Sequence, residues 1–187
     1  MGTSGSLKGK LLVAAPMLAD PNFHRTVVLI LEHDGGGAAG VVLNRPSTSS
    51  IGDSLPEWEA VAASPAVVFV GGPVSPTSAI GLGRHPGGAG VGVGFASVFG
   101  TIGTVDLALR PDDLAVQVAE VRIFAGYAGW GPEQLEDELA VGAWWVAAAR
   151  SEDAFEADAD LLWSNTIRRL RGTRALFATY PLDADLN

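Results

Sequence analysis

The chain has 187 residues, 48% of them hydrophobic and 18% charged, with a formal net charge of −9. That is enough apolar material for one well-filled domain and excludes a disordered chain, while the acidic balance argues against direct nucleic-acid binding and against an anionic membrane surface. No cysteine is present, which excludes disulfides, thiolate metal sites and a thiol nucleophile.

Residues 1–8 are polar and read as disordered or extraneous. They lack the cationic start, apolar stretch and cleavage site of a secretory signal. No apolar run approaches a membrane span, so a cytoplasmic protein without a membrane partner is expected. Leu11 to Ala15 reads as a short buried strand, broken by Asp20-Pro21. Thr26 to His33 is β-branched and continuous, as in a strand buried on both faces. With the glycine-rich turn after it and Val41 to Asn44, it predicts a β-hairpin that Pro46 ends.

Asp53 to Ala63 is weakly helical, with Leu55, Trp58 and Val61 on one face, and Val67 to Val70 reads as another buried strand. The glycine-rich stretch from Gly81 to Gly94 predicts a mobile loop. Thr101 to Leu109 reads as a strand, and Pro111 opens a short helix. Val121 to Ala128 predicts a strand, Pro132 a helix start, and Ala143 to Ala148 a further strand. A last helix is expected from about Asp160 to Arg171, ended by Gly172. Strands and helices mix without regular βαβ alternation, which places the chain in the α+β class as a single domain.

Gly35, Gly37 and Gly40 match the spacing of a dinucleotide fingerprint. That site needs a helix after the glycines, to hold a pyrophosphate on its N-terminus. Here Val41 to Asn44 and then Pro46 follow, so the glycines read as a hairpin turn. His24, His33 and His85 are scattered and lack ligand spacing, so no metal site and no cofactor are expected.

Three stretches remain as candidate ligand-binding residues. Asn44 and Arg45 lie at a strand end, where sheets present ligand groups, and Arg45 could grip a carboxylate or phosphate in two-pronged fashion. The alternative is a turn cap and a structural ion pair. Gly71 and Gly72 could expose backbone N–H groups as an anion nest, or simply serve a tight turn. Tyr127 and Trp130 could wall a pocket whose polar floor is Gln134 and Glu138; the alternative is a close-fitted corner. No catalytic residue is identified, because no nucleophile–base pair stands out. Arg168, Arg169, Arg171 and Arg174 form the basic cluster of the chain, placed to complement a helix C-terminus.

Read together, the segments from Gly9 to Pro46, Val68 to Val74 and Arg122 to Leu139, with Ala143 to Ala147 and Phe155 to Leu170, resemble the AlgH/YqgE family. The resemblance spans nearly everything from Gly9 to Leu170 and is loose between Gly81 and Gly94. It implies a bent, partly barrel-like mixed sheet flanked by helices, in a cytosolic bacterial protein. Members of that family are often labelled transcriptional regulators. The resemblance implies no established enzyme, and points to a non-catalytic regulatory or interaction protein with a protein or small-molecule partner. The alternative from the residues themselves is a small-anion or small-ligand-binding protein with its site around Asn44-Arg45 and Gly71-Gly72.

Overall fold

A computed structural model describes residues 5–87, 92–170 and 172–179. The strands are β1 (Lys10–Ala14), β2 (Val27–Asp34), β3 (Gly37–Val42), β4 (Pro46–Ser50), β5 (Val67–Val70), β6 (Val74–Arg84), β7 (Phe95–Phe99), β8 (Ile102–Val105), β9 (Glu120–Trp130) and β10 (Trp144–Ala148). The α-helices are α1 (Ile51–Ser54), α2 (Gln134–Ala140) and α3 (Ala159–Arg168).

The strands form one curled mixed sheet in the order β10-β1-β2-β3-β9-β6-β8-β7, with β4 and β5 off that path. Strand β9 organises it. The C-terminal half of β9 pairs with β3, and its middle pairs in parallel with β5. Its other edge runs antiparallel to β6. The fold is thus α+β in a single domain, with a bent sheet and few helices.

Alternation along the central strands explains why they are apolar throughout. Leu11, Val13, Val27, Leu29 and Leu31 face one core with Leu162, Trp163 and Ile167 of α3. Leu12, Ala14, Val28 and Ile30 face a second core with Trp130, Trp144 and Leu135 of α2. A period of two therefore feeds two cores, and a continuous apolar run is the result. A third core gathers Ile51, Trp58, Phe95, Val121 and Ile123.

Strand β1, the β2–β3 hairpin and strands β9 and β10 lie where the sequence predicts them. Several other expectations are corrected. The stretch expected as a loop from Gly81 is instead the end of β6, an eleven-residue strand. A Cβ on Gly83 would come within 2.7 Å of the Val105 side chain, so this glycine answers to a close approach of neighbouring chain and not to mobility. Residues 88–91 of that expected loop lie outside the described residues. Strand β7 follows where none was expected.

The Asp53 to Ala63 helix is replaced by the single turn of α1 and a 3₁₀ segment, Pro56–Val61, which drops Trp58 into the third core. Strand β5 is buried only at Phe69, and Val70 is 45% exposed. Pro132 does not open α2. Glu133 is the cap residue, at φ 62, and the helix starts at Gln134. The last helix ends at Arg168, and Gly172 begins a 3₁₀ segment, Gly172–Thr179. Arg171 lies outside the described residues.

Of the leader expected to be disordered, residues 1–4 lie outside the described residues. Ser6 to Lys8 are anchored. Ser6 Oγ donates to the His33 carbonyl at 2.9 Å, and the Leu7 N–H donates to His33 Nδ1 at 2.9 Å. Because Nδ1 accepts, the ring proton of neutral His33 sits on Nε2, facing Glu136 Oε1 at 2.9 Å.

Candidate functional site

Where β2 begins and β3 ends against α3, the sheet opens a cleft of about 650 Å³, within the range of small-molecule sites. One wall is His24, Arg25, Asn44 and Arg45; the other comes from Asp160, Leu161, Trp163 and Ser164 of α3, with Ala178 and Thr179 beyond.

Asn44 organises the first wall from behind. Its Oδ1 accepts the Val27 N–H at 2.9 Å and its Nδ2 donates to the Arg25 carbonyl at 2.9 Å. The carboxamide so brackets Arg25, which stands at φ 55. For a residue with a side chain this left-handed conformation costs roughly 1–2 kcal/mol, and such residues persist where their surroundings hold them. The Arg25 guanidinium lies over the Trp163 ring, 4.1 Å from its centroid. Trp163 is itself pinned by its indole N–H, which donates to the Ala14 carbonyl at 2.9 Å. Burial pushes the Arg25 pKa down from its ordinary value, because desolvation disfavours the charged form.

Arg45 is held differently. Its Nη2 donates to the Pro21 carbonyl at 3.0 Å and the His24 carbonyl at 3.2 Å. Nη2 belongs to both bidentate edges of a guanidinium, so the two-pronged grip expected of Arg45 is taken by the protein's own backbone. A ligand would meet its charge and the N–H groups of Nη1 and Nε singly. His24 Nδ1 faces the Leu18 carbonyl at 3.2 Å, which can only accept, so the Nδ1 proton is in place and neutral His24 carries its lone pair on Nε2.

The other expected site residues do not join this cleft. Gly71 and Gly72 lie against β9. The Gly71 N–H donates to the Ala125 carbonyl at 2.8 Å and its carbonyl accepts the Val42 N–H at 2.8 Å. A Cβ on Gly71 would strike the Gly126 carbonyl, and one on Gly72 the Tyr127 backbone. These glycines let β3 hand its place beside β9 to β5.

Tyr127 and Trp130 border a second, shallow hollow of about 420 Å³ with Glu32, Asp34 and Val74. Gln134 and Glu138 are engaged as corner fasteners. Gln134 Oε1 accepts the Gly131 N–H at 3.0 Å, and its Nε2 donates to Glu138 Oε1 at 2.9 Å. Glu138 Oε2 accepts the indole N–H of Trp130 at 2.9 Å and of Trp144 at 2.7 Å. Phe23 completes this aromatic group, its ring 5.4 Å from that of Trp144.

Sequence reasoning singled out Asn44 and Arg45 and missed Arg25, Trp163, Ser164 and Asp160 as their neighbours. No local signal marks Arg25, whose φ is set by the turn after Asp20. Among the described residues no group of three or more His, Asp or Glu side chains is placed to hold a metal ion. No helix among them is long and apolar enough to cross a membrane.

Comparison with known proteins places this architecture. The AlgH-like family model, a domain of unknown function, matches residues 11–175. A UPF0301 protein of Streptomyces coelicolor is 53% identical over 185 residues, covering 97% of this chain and 96% of its own length. A UPF0301 protein of Streptomyces avermitilis is 52% identical over the same span. A crystal structure of a protein from Corynebacterium diphtheriae superposes with a TM-score of 0.88 at 30% identity, covering 96% of this chain and 95% of that one. The solution structure of AlgH from Pseudomonas aeruginosa superposes with a TM-score of 0.67 at 28% identity, covering 97% of each chain. With the family match running over most of its length and close relatives end to end, the chain belongs to the AlgH-like family.

Proposed function

We propose that this protein binds a small anionic ligand in the cleft between the β2 and β3 ends and α3. It would act by binding and not by catalysis, in a regulatory or interaction role whose partner is a small molecule or another protein. The observation that carries this reading is Arg25, held at φ 55 under the Asn44 carboxamide and set over Trp163 in the same cleft as Arg45. Strained backbone gathers where a side chain must be delivered to one place. Here it fixes Arg25 as a second cationic residue of the cleft that Arg45 also lines, in a chain whose net charge is −9. Two cationic side chains lining one half-enclosed cleft favour an anion within it, because partial desolvation strengthens the attraction.

The cleft's polar groups fit holding better than turnover. Ser164 Oγ donates to the Leu161 carbonyl at 3.1 Å, a structural bond. The test is isothermal titration with inorganic phosphate, acetate and butyrate. Arg45→Met and Arg25→Met should each weaken the best binder about tenfold or more, the scale of a charge-assisted contact. Arg110→Met, the same charge change at an exposed site outside the cleft, should leave it unaltered. Equal losses in all three variants would show a diffuse field effect and sink the reading.

A further inference from the structure

Strand β10 is one margin of the sheet: among the described residues it pairs with β1 alone. The phase of that pairing fixes where its backbone points. The Ala15 N–H donates to the Ala143 carbonyl at 2.9 Å, and the register sets Val13 against Trp145 and Leu11 against Ala147. The Ala14 N–H goes the other way, to the Thr26 carbonyl just before β2, at 3.0 Å. Direction alternates along an antiparallel ladder. Ala143, Trp145 and Ala147 therefore turn N–H and C=O to β1, and Trp144, Val146 and Ala148 turn theirs to the open side. No hydrogen bond between described residues uses the backbone of those three. Val146 is 36% exposed, and Ala148 is exposed. The strand carries neither charge nor proline, the usual devices that keep an edge from pairing.

We infer that β10 pairs antiparallel with β10 of a second copy of this chain, about a two-fold axis through Val146. That register sets Val146 against its own copy and Trp144 against Ala148 in both directions, so every outward-turned residue meets another. A slip of one residue would oppose outward backbone with inward backbone and lose the ladder. Size matches in the same register: Trp144 and Trp145 stand opposite Ala148 and Ala147, large against small. Charge matches as well. The chain entering β10 is acidic, with Glu136, Asp137 and Glu138 in α2, and the chain leaving it carries the exposed Arg150. Antiparallel pairing lays the leaving chain of one copy along the entering chain of the other. Arg150 then falls opposite Gly142, two residues past the end of α2, whereas a parallel pairing would set acid against acid. One five-residue strand is a small contact, so the dimer is weak and depends on concentration.

Sedimentation equilibrium of the full chain up to about 1 mM should show a monomer–dimer equilibrium, as a small interface gives. Val146→Lys should abolish the dimer, as charge on an edge strand does, with thermal unfolding to check that the variant folds. Because the chain has no cysteine, an introduced one reports distance. In this register the two Val146 Cα atoms lie about 5.5 Å apart, within disulfide reach, and those of Ala148 roughly 14 Å apart, beyond it. Under mild oxidation Val146→Cys should form at least about tenfold more disulfide-linked dimer than Ala148→Cys. A chain that stays monomeric to about 1 mM overturns the pairing, and so does Ala148→Cys linking as readily as Val146→Cys. A dimer that a folded Val146→Lys leaves intact also overturns it. If Val146→Lys does not fold, the two cysteine variants decide alone.

Discussion

Arg122 shows how a single side chain can join distant parts of this chain. It sits on β9 at 1% exposure, and its guanidinium donates to the carbonyls of Glu156 at 2.8 Å and Ser64 at 2.7 Å. Its flat face lies 4.3 Å from the Phe69 ring centroid. Burial pushes its pKa down from the ordinary arginine value to about 10, partly opposed by Glu120 and Glu156. The sign follows from linkage. A base whose folded pKa is depressed is disfavoured in the fold while charged, so its burial cost is fully present at neutral pH and is relieved only as pH rises from about 10 towards the ordinary arginine pKa. At pH 7 the carbonyls and the ring must offset that cost. Arg122→Met should remove the charge but strand the carbonyls it serves, those of Glu156, Ser64 and Ala154, and should destabilise the protein by about 2–5 kcal/mol in urea unfolding. A loss under about 1 kcal/mol would show that the carbonyls find other donors. Asn44 is the comparable case at the cleft. It was legible in the sequence as a polar residue ending a buried strand. Its effect on Arg25 was not, because the two meet across 19 positions of chain.

The junction at Gly71-Gly72 belongs to the scale of elements. The sequence offers two glycines after a strand and permits either an anion nest or a turn. The sheet decides between them, since β3 leaves β9 and β5 joins it at this point. Gly72 takes φ 152 directly against the Tyr127 backbone, and Gly126 answers with φ 71 across the gap. Gly72→Ala should therefore cost about 2 kcal/mol or more, since backbone cannot yield as a flexible side chain can. Thermal unfolding would measure it, and a neutral result would mean that the junction relaxes. Ligand affinity should change little if the variant still folds, because Gly72 does not line the cleft. The opposite misreading occurred at Gly81 and Gly83, where glycine content suggested a loop and the sheet required room. Glycine marks that a side chain is unwelcome, without saying whether the reason is freedom or crowding.

At the scale of the molecule, charge and fold point to different partners. A chain of net charge −9 repels a phosphate backbone. No retardation of duplex DNA is expected even at about 50 mM salt, where non-specific attraction is strong. A salt-dependent shift would overturn the claim that any regulatory role runs through other partners. The sequence by itself determined the α+β class, the apolar central strands, the β2–β3 hairpin and family membership. These follow from local periodicity, turn chemistry and the combination of recognisable segments, none of which needs the distant chain. Only the tertiary structure decided that Asn44 serves Arg25 and that the grip of Arg45 is shared with its own backbone. It also decided that Gly71-Gly72 and the Tyr127 to Glu138 corner stand apart from the cleft. The reason is physical: a cleft is a relation between walls, and here the walls are strand ends and a helix more than a hundred residues apart. A polar residue at a strand end announces that something may be held there; what stands across from it is settled only when the sheet curls and α3 closes over its end.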